Sequence, residues 1–238
     1  MHNQVIWAFV PARGGSKSIP LKNLSMLGGR CLLDYGVLAT QVSKSCSRII
    51  CSTDDRSIGE RATALGIEVD WRPKALATDE AAVADVVREF LTRQQAQPDI
   101  LVLVQPTSPF LLPEHVTGLL DLFINTSDCR SAQTVAPIPH NYHTWNQRLY
   151  ESGTVRFLYA KERQLAYNKQ LKPKVYSFGN LVAIRPDALI DGMGFFAEPS
   201  LGYPIAWPYN LDVDGPDDLR LAEALIQTGM VRFDHLKK

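Results

Sequence analysis

Two unbroken apolar runs limit the fold of this chain more than any other feature: VIWAFV at residues 5–10 and ILVLV at residues 100–104. Neither alternates with polar residues, so each reads as a strand covered on both faces. RIICS at 48–52 is a third such run, and 68–70 supplies a further short strand. The segments between them carry helical spacing. Leu33, Val37 and Leu38 share one face of 32–42, and a helix over 54–65 opens on Thr53 or Asp54 as N-cap and closes at Gly66. Residues 81–94 are also helical, and 113–125 begins with Pro113 in a first turn, where proline is tolerated. Strands ~40–50 residues apart with helices between them pair parallel through right-handed crossovers. The expected fold is therefore α/β: a Rossmann-like, mostly parallel central sheet with helices on both faces. In this architecture ligands sit beyond the carboxyl ends of the strands.

The chain has 238 residues, 45% of them hydrophobic and 21% charged, enough to bury a core within one domain spanning 1–238. Its 25 basic and 25 acidic residues cancel, so no overall field favours nucleic acid and any anion site must be a local cluster. Cys31, Cys46, Cys51 and Cys129 have neither metal-type nor redox-type spacing and read as reduced thiols of a cytoplasmic protein. The run at 5–10 is too short to cross a membrane, and it lacks the basic leader and cleavage site of a secretory signal. Residues 140–174 change texture, becoming aromatic and basic, and read as an insertion that leaves the main sheet. A core strand resumes at 182–184, and 217–228 forms an amphipathic last helix.

Four loops gather at the expected ligand edge. The first strand empties into PARGGSKSIPLKN, where Gly14 and Gly15 let backbone N–H groups approach an anion. Arg13, Lys17 and Lys22 bring positive charge. The loop has neither the three spaced glycines of a dinucleotide site nor the Gly-Lys-Ser/Thr of a P-loop. It fits a polyphosphate, and it equally fits a tight turn with solvated cations. CSTDD follows the second strand, and VQPTSPF brings Gln105, Thr107 and Ser108 after the 100–104 strand. NLDVDGPDD sets Asp212 and Asp214 two apart, on one side of an extended segment, as a divalent cation needs. A solvated turn with Asp217 as the cap of the last helix would read the same way. His140 and His143 lack a nearby third ligand and read as surface residues, and Trp145, Tyr150, Phe157 and Tyr159 read as interface side chains.

Taken in order, PARGGSKSIPLKN, STDD, RPKALATDEA, QPTSPF and LDVDGPDDL resemble the cytidylyltransferases that activate acidic sugars, above all the CMP-sialic acid synthetases (acylneuraminate cytidylyltransferases). The resemblance covers nearly the whole chain and leaves no carboxy-terminal extension. It implies a nucleotidyltransferase that moves CMP from CTP to the anomeric hydroxyl of a nonulosonic keto-sugar acid and releases pyrophosphate. Ala12, Arg13, Gly14, Gly15, Ser16, Lys17, Lys22, Asn23, Arg72 and Asp79 then match nucleotide-binding positions. Arg13 and Lys22 would hold the triphosphate, and Asp212 and Asp214 would bind Mg2+ (or Mn2+) and help deprotonate the hydroxyl. Gln105, Thr107 and Ser108 fall near the sugar. Phosphoryl-type transfer is mostly positioning and charge neutralisation, so a basic loop and a metal are the expected equipment.

The resemblance also implies a homodimer built through the insertion, about 140–176, and there the match loosens. Lys169 stands for an arginine, Tyr176 for a phenylalanine, and Ser177 for an arginine that helps hold the sugar; Gly179 and Asn180 reverse the usual order. Phe195 and Phe196 match an aromatic pair near the sugar, and Ser18 replaces a common glycine. A serine cannot reproduce the bidentate fork of an arginine. The nucleotide half is thus ordinary and the sugar half altered. Alternatives are a sugar-1-phosphate nucleotidyltransferase using another sugar or nucleotide, and a nucleotide-binding protein without turnover.

Overall fold

The computed structural model describes residues 4–236. Seven strands form the central sheet: β1 (Ile6–Pro11), β2 (Arg48–Thr53), β3 (Glu68–Trp71), β4 (Ile100–Val104), β5 (Ser131–Pro137), β6 (Tyr176–Ile184) and β7 (Ser200–Pro204). Their order across the sheet is β7-β5-β6-β4-β1-β2-β3. Helices α1 (Leu32–Ser43), α2 (Arg56–Ala64), α3 (Val83–Thr92), α4 (Pro113–Ile124), α5 (Ala160–Leu165), α6 (Pro186–Ile190) and α7 (Pro216–Gln227) complete the chain's main elements. No helix among the described residues is long and apolar enough to cross a membrane. All four cysteines are free thiols.

The apolar runs are buried on both faces, as their lack of alternation predicts. Ile6, Ala8 and Val10 of β1 join Val102 and Val104 of β4 in a cluster closed by Leu33 and Val37 of α1, Ile58 of α2 and Leu119 and Phe123 of α4. Trp7 and Phe9 point the other way, onto Val86, Val87, Phe90 and Leu91 of α3. Successive strand residues alternate faces, so a strand with helices on both sides must be apolar throughout. Val5 is the exception: it lies before β1 and is exposed.

β1 pairs parallel with both β2 and β4, and β2 pairs parallel with β3. The chain thus winds outward from β1 in both directions. The crevice between the carboxyl ends of β1 and β4 is the switch point where open α/β sheets bind ligands. β6 is antiparallel to β4 and to β5, with Leu181 opposite Val104 and Ile184 opposite Leu101. Its first residues therefore lie at the ligand edge. β6 is also longer than the three-residue strand expected at 182–184, and the insertion rejoins the sheet at Tyr176, which pairs with Pro137.

Two helix caps differ from expectation. The N-cap of α2 is Asp55, whose carboxylate accepts from the Ile58 N–H at 3.0 Å. Asp54, one residue earlier, is drawn to another loop. At α7 the cap position is Gly215, and Asp218 rather than Asp217 accepts from the N–H groups of Asp214 and Gly215, at 3.0 and 2.8 Å.

A third apolar cluster lies outside the sheet. It joins Leu27, Leu32, Tyr35 and Phe110 to Val213 and to Ala222 and Leu225 of α7. Val213 is fully buried, while Asp212 and Asp214 on either side of it are exposed. Burying the middle residue of this extended stretch turns both carboxylates outward.

Candidate active site

The loop after β1 is rooted at both ends. Ala12 is buried, and its N–H donates to the Ser52 carbonyl at 2.9 Å, binding the loop's start to β2. Asn23, buried in a short turn at Lys22–Leu24, donates its side-chain amide to the Arg13 carbonyl at 2.9 Å. The Gly14 N–H donates to Asp54 Oδ1 at 2.9 Å. A Cβ at Gly14 would stand 2.7 Å from the Asp55 Cβ, so only glycine brings this loop against the start of α2. At Gly15 a Cβ would meet nothing within 4 Å and would project into open space.

Arg13 Nη1 and Lys17 Nζ both pair with Asp79, at 2.6 and 2.7 Å, one on each carboxylate oxygen. The Lys17 and Arg13 hydrogen bonds hold the Asp79 carboxyl below its ordinary pKa. Arg72 lies buried behind this group, donating to the Ser52 carbonyl at 2.9 Å, and desolvation lowers its pKa.

A cavity of about 180 Å3 opens at the switch point, lined by Pro11, Arg13, Gly15, Ser16, Lys22, Asn23 and Thr107. The loops after β1 and β4 thus face one space. The segment carrying the two aspartates is stitched to both. The Val213 N–H donates to the Thr107 carbonyl at 2.7 Å, and Ser108 Oγ donates to Asp212 Oδ1 at 3.4 Å. From the other side, Lys22 Nζ donates to the Val213 carbonyl at 2.9 Å and lies 3.5 Å from Asp214 Oδ1, while the Ser18 hydroxyl donates to the Asp214 carbonyl.

Desolvation raises the Asp212 pKa; a Thr107 hydrogen bond opposes that, and the Asp214 charge adds to it. Two neighbouring carboxylates that repel are a fit for a divalent cation, which relieves the repulsion. Among the described residues no group of three or more His, Cys, Asp or Glu side chains could hold a metal. Asp212 and Asp214 could hold only a cation that takes the rest of its shell from water or a bound ligand, as a hard divalent cation does.

A basic glycine loop lines the crevice, and an aspartate pair is tied to it through Lys22; comparison with known proteins decides the family. The family model described as cytidylyltransferase matches residues 7–181. The chain belongs to the cytidylyltransferase family.

Similar curated proteins include a CMP-N,N'-diacetyllegionaminic acid synthase of Legionella pneumophila, 29% identical over 93% of this chain and 96% of that protein. An N-acylneuraminate cytidylyltransferase of Escherichia coli is 28% identical over 95% of this chain and 53% of its own length. The chain thus spans about half of that longer relative. Among solved structures, a CMP:2-keto-3-deoxy-manno-octonic acid synthetase complexed with CTP superposes with a TM-score of 0.72 at 17% identity, covering 94% of this chain and 99% of that one. At that identity the likeness is one of fold.

The residues expected near a sugar divide into two groups, and of them Thr107 lines the crevice. Gln105 and Thr107 are half-buried beyond β4, and Tyr176 is exposed at the start of β6. Ser177 Oγ donates to the Ala136 carbonyl at 3.5 Å and accepts from the Asn210 amide at 3.4 Å. Phe196 is exposed and meets Phe178 edge-on, 5.5 Å between ring centres. The others point inward or away. Phe195 belongs to the cluster packed on α3, and Lys169 is exposed on a short turn of the insertion.

Asn180 is fully buried. Its amide donates to the Tyr209 carbonyl and to His115 Nδ1, both at 3.0 Å, and its carbonyl accepts from the Thr134 hydroxyl at 3.1 Å. Burial lowers the His115 pKa to about 4, so the ring is neutral and Nδ1 is free to accept. The reversed Gly179-Asn180 order has a local cause here. A Cβ at position 179 would stand 2.5 Å from Thr134 Oγ1, and that oxygen accepts the N–H groups of both Asn180 and Leu181.

Sequence reasoning missed two residues of the site. Ser18 reads in the sequence only as the replacement of a glycine and Asp54 only as a helix cap, and both act through partners remote in the chain. The doubled acid of STDD is the one available signal for Asp54, since a helix needs a single cap.

Proposed function

We propose that this protein transfers CMP from CTP to the anomeric hydroxyl of a nonulosonic sugar acid and releases pyrophosphate. One observation carries the reading: Lys22, which lines the crevice with the basic loop after β1, also donates to the Val213 carbonyl and lies 3.5 Å from Asp214, tying the aspartate segment to that loop. The names of the full-length Legionella relative and of the Escherichia coli relative support the class of sugar.

In the proposed reaction Arg13, Lys17 and the loop's N–H groups bind the triphosphate. The sugar hydroxyl oxygen bonds to the α-phosphorus, the bond to the bridging oxygen breaks with its electron pair going to pyrophosphate, and the hydroxyl proton passes to water with help from Asp212 or Asp214. Negative charge gathers on the departing pyrophosphate, and Arg13 and Lys22 stand where that charge develops. Asp212 and Asp214 would hold Mg2+, which when bound neutralises phosphate charge and polarises the phosphoryl oxygen. Arg72 and Asn23 brace the pocket behind the loop.

The insertion supports a homodimer. Tyr142, Tyr150, Val155, Leu165, Tyr167, Leu171 and Tyr176 are all exposed there, although the segment is internally ordered. Asn146 Oδ1 accepts from Lys172 Nζ at 2.6 Å and from Arg163 Nη1 at 2.5 Å, and His143 Nε2 lies 3.1 Å from the Pro173 carbonyl. An ordered scaffold displaying that many large apolar groups marks a protein-binding face. Sedimentation at micromolar concentration is expected to give a dimer; a monomer would remove this assignment. Four free thiols and the use of CTP suit the cytoplasm.

The test of function is pyrophosphate release by purified protein with Mg2+, each nucleoside triphosphate, and panels of ulosonic acids and sugar phosphates. Release is expected with CTP and a sugar acid. Preference for a sugar phosphate, or for another nucleotide, would sink the proposal.

A further inference from the structure

The cations of the first loop already hold an anion, and it belongs to the chain itself. Asp79 sits between β3 and α3, far in sequence from the loop, and divides its two oxygens between Arg13 at 2.6 Å and Lys17 at 2.7 Å. Asp54 repeats the pattern on the Gly14 N–H at 2.9 Å. One carboxylate bridging a guanidinium and an ammonium presents the pair of acceptor oxygens that one phosphate group would present. The geometry points to Asp79 as an internal competitor for the outer phosphates of the nucleotide, and hence as a residue that sets polyphosphate affinity and eases pyrophosphate release. This rests on the reading of the loop as a triphosphate clamp.

The exposure of the partners makes such competition reversible. The side chains of Arg13 and Asp79 are each 32% exposed and that of Lys17 is 82% exposed. Ion pairs so open to water contribute little net energy and are weakened by salt. A polyphosphate has more charge and more acceptor oxygens than one carboxylate, so it displaces Asp79. When the α,β bond breaks, pyrophosphate keeps those same two cations but loses its tether to the nucleoside. Asp79 is then close enough to re-form its pairs and drive the product off. A ligand that reaches no further than the α-phosphate never meets this competition.

Calorimetric titration of inorganic tripolyphosphate, pyrophosphate and CMP into the wild type, Asp79→Asn and Asp79→Glu tests the inference. Asp79→Asn is expected to tighten both polyphosphates roughly tenfold, the factor by which a latch closed about nine-tenths of the time lowers apparent affinity. CMP binding and the unfolding midpoint are expected to stay unchanged, and Asp79→Glu to restore the weaker binding. The difference between wild type and Asp79→Asn should shrink as salt is added.

Unchanged or weaker polyphosphate binding by a folded Asp79→Asn protein would overturn the inference, making Asp79 an organiser of the two cations. Equal tightening of CMP would also overturn it, as a general charge effect. If the wild type binds no polyphosphate, both this inference and the proposed function fall. If polyphosphates tighten as expected but the wild type transfers no CMP, the inference stands and the function falls.

Discussion

Asp212→Asn is expected to lower turnover by about a thousandfold, or ~4 kcal/mol at 1.36 kcal/mol per decade, the scale of a metal's charge stabilisation. The fold should not suffer. Desolvation and the neighbouring Asp214 raise the Asp212 pKa in the native protein, so the charged form is disfavoured there. A raised carboxyl pKa means that folding loses stability as pH climbs from the unfolded pKa to the native one. At neutral pH that penalty is present but small, because Asp212 is exposed to water, and asparagine removes it. The unfolding midpoint should therefore hold or rise while activity collapses. Pyrophosphate release and a thermal melt on the same preparation check both halves. Full activity in the variant would remove the metal assignment.

Lys22→Ala should cost on the order of a hundredfold to a thousandfold in kcat, as loss of one preorganised charged donor does elsewhere. Lys22 serves two structures together. Its side chain is only 15% exposed, and its ammonium donates to the Val213 carbonyl at 2.9 Å, beside Asp214. Removing it strips charge from the crevice and frees the aspartate segment on one side. Lys22→Arg should not rescue, because a planar guanidinium cannot occupy the place of a compact ammonium. Steady-state kinetics over a range of Mg2+ concentration provides the check. A variant that keeps wild-type kcat would show that the lysine only props the loop.

Much of the scaffold was legible in the sequence, for reasons visible in the structure. β1 and β4 are packed on both faces, and that double burial writes an unbroken apolar run that needs no partner to be read. The direction of β6 was not legible, since periodicity carries no record of which neighbour a strand pairs with. The cap of α2 slipped by one residue because Asp54 and Asp55 are chemically alike, and only tertiary structure sends one to Gly14 and the other to Ile58. In the site, the glycines and cations after β1 could be read locally, and the aspartate pair followed from strand geometry once Val213 was buried between them. The bridging role of Asp79 lay beyond reach. It joins the loops after β1 and β3 through side chains alone, and nothing in either stretch encodes the meeting.

Val213 has a wider consequence. Its side chain is packed with Ala222 and Leu225 of α7, its N–H is tied to Thr107, and its carbonyl to Lys22. The docking of the last helix and the aim of the two carboxylates are therefore one mechanical problem. A fluctuation that lifts α7 off its cluster withdraws Val213 and loosens the carboxylate pair, leaving the sheet intact. If the aspartate pair holds Mg2+ as proposed, substitutions beneath this remote helix would surface as weakened metal affinity well before they surface as unfolding.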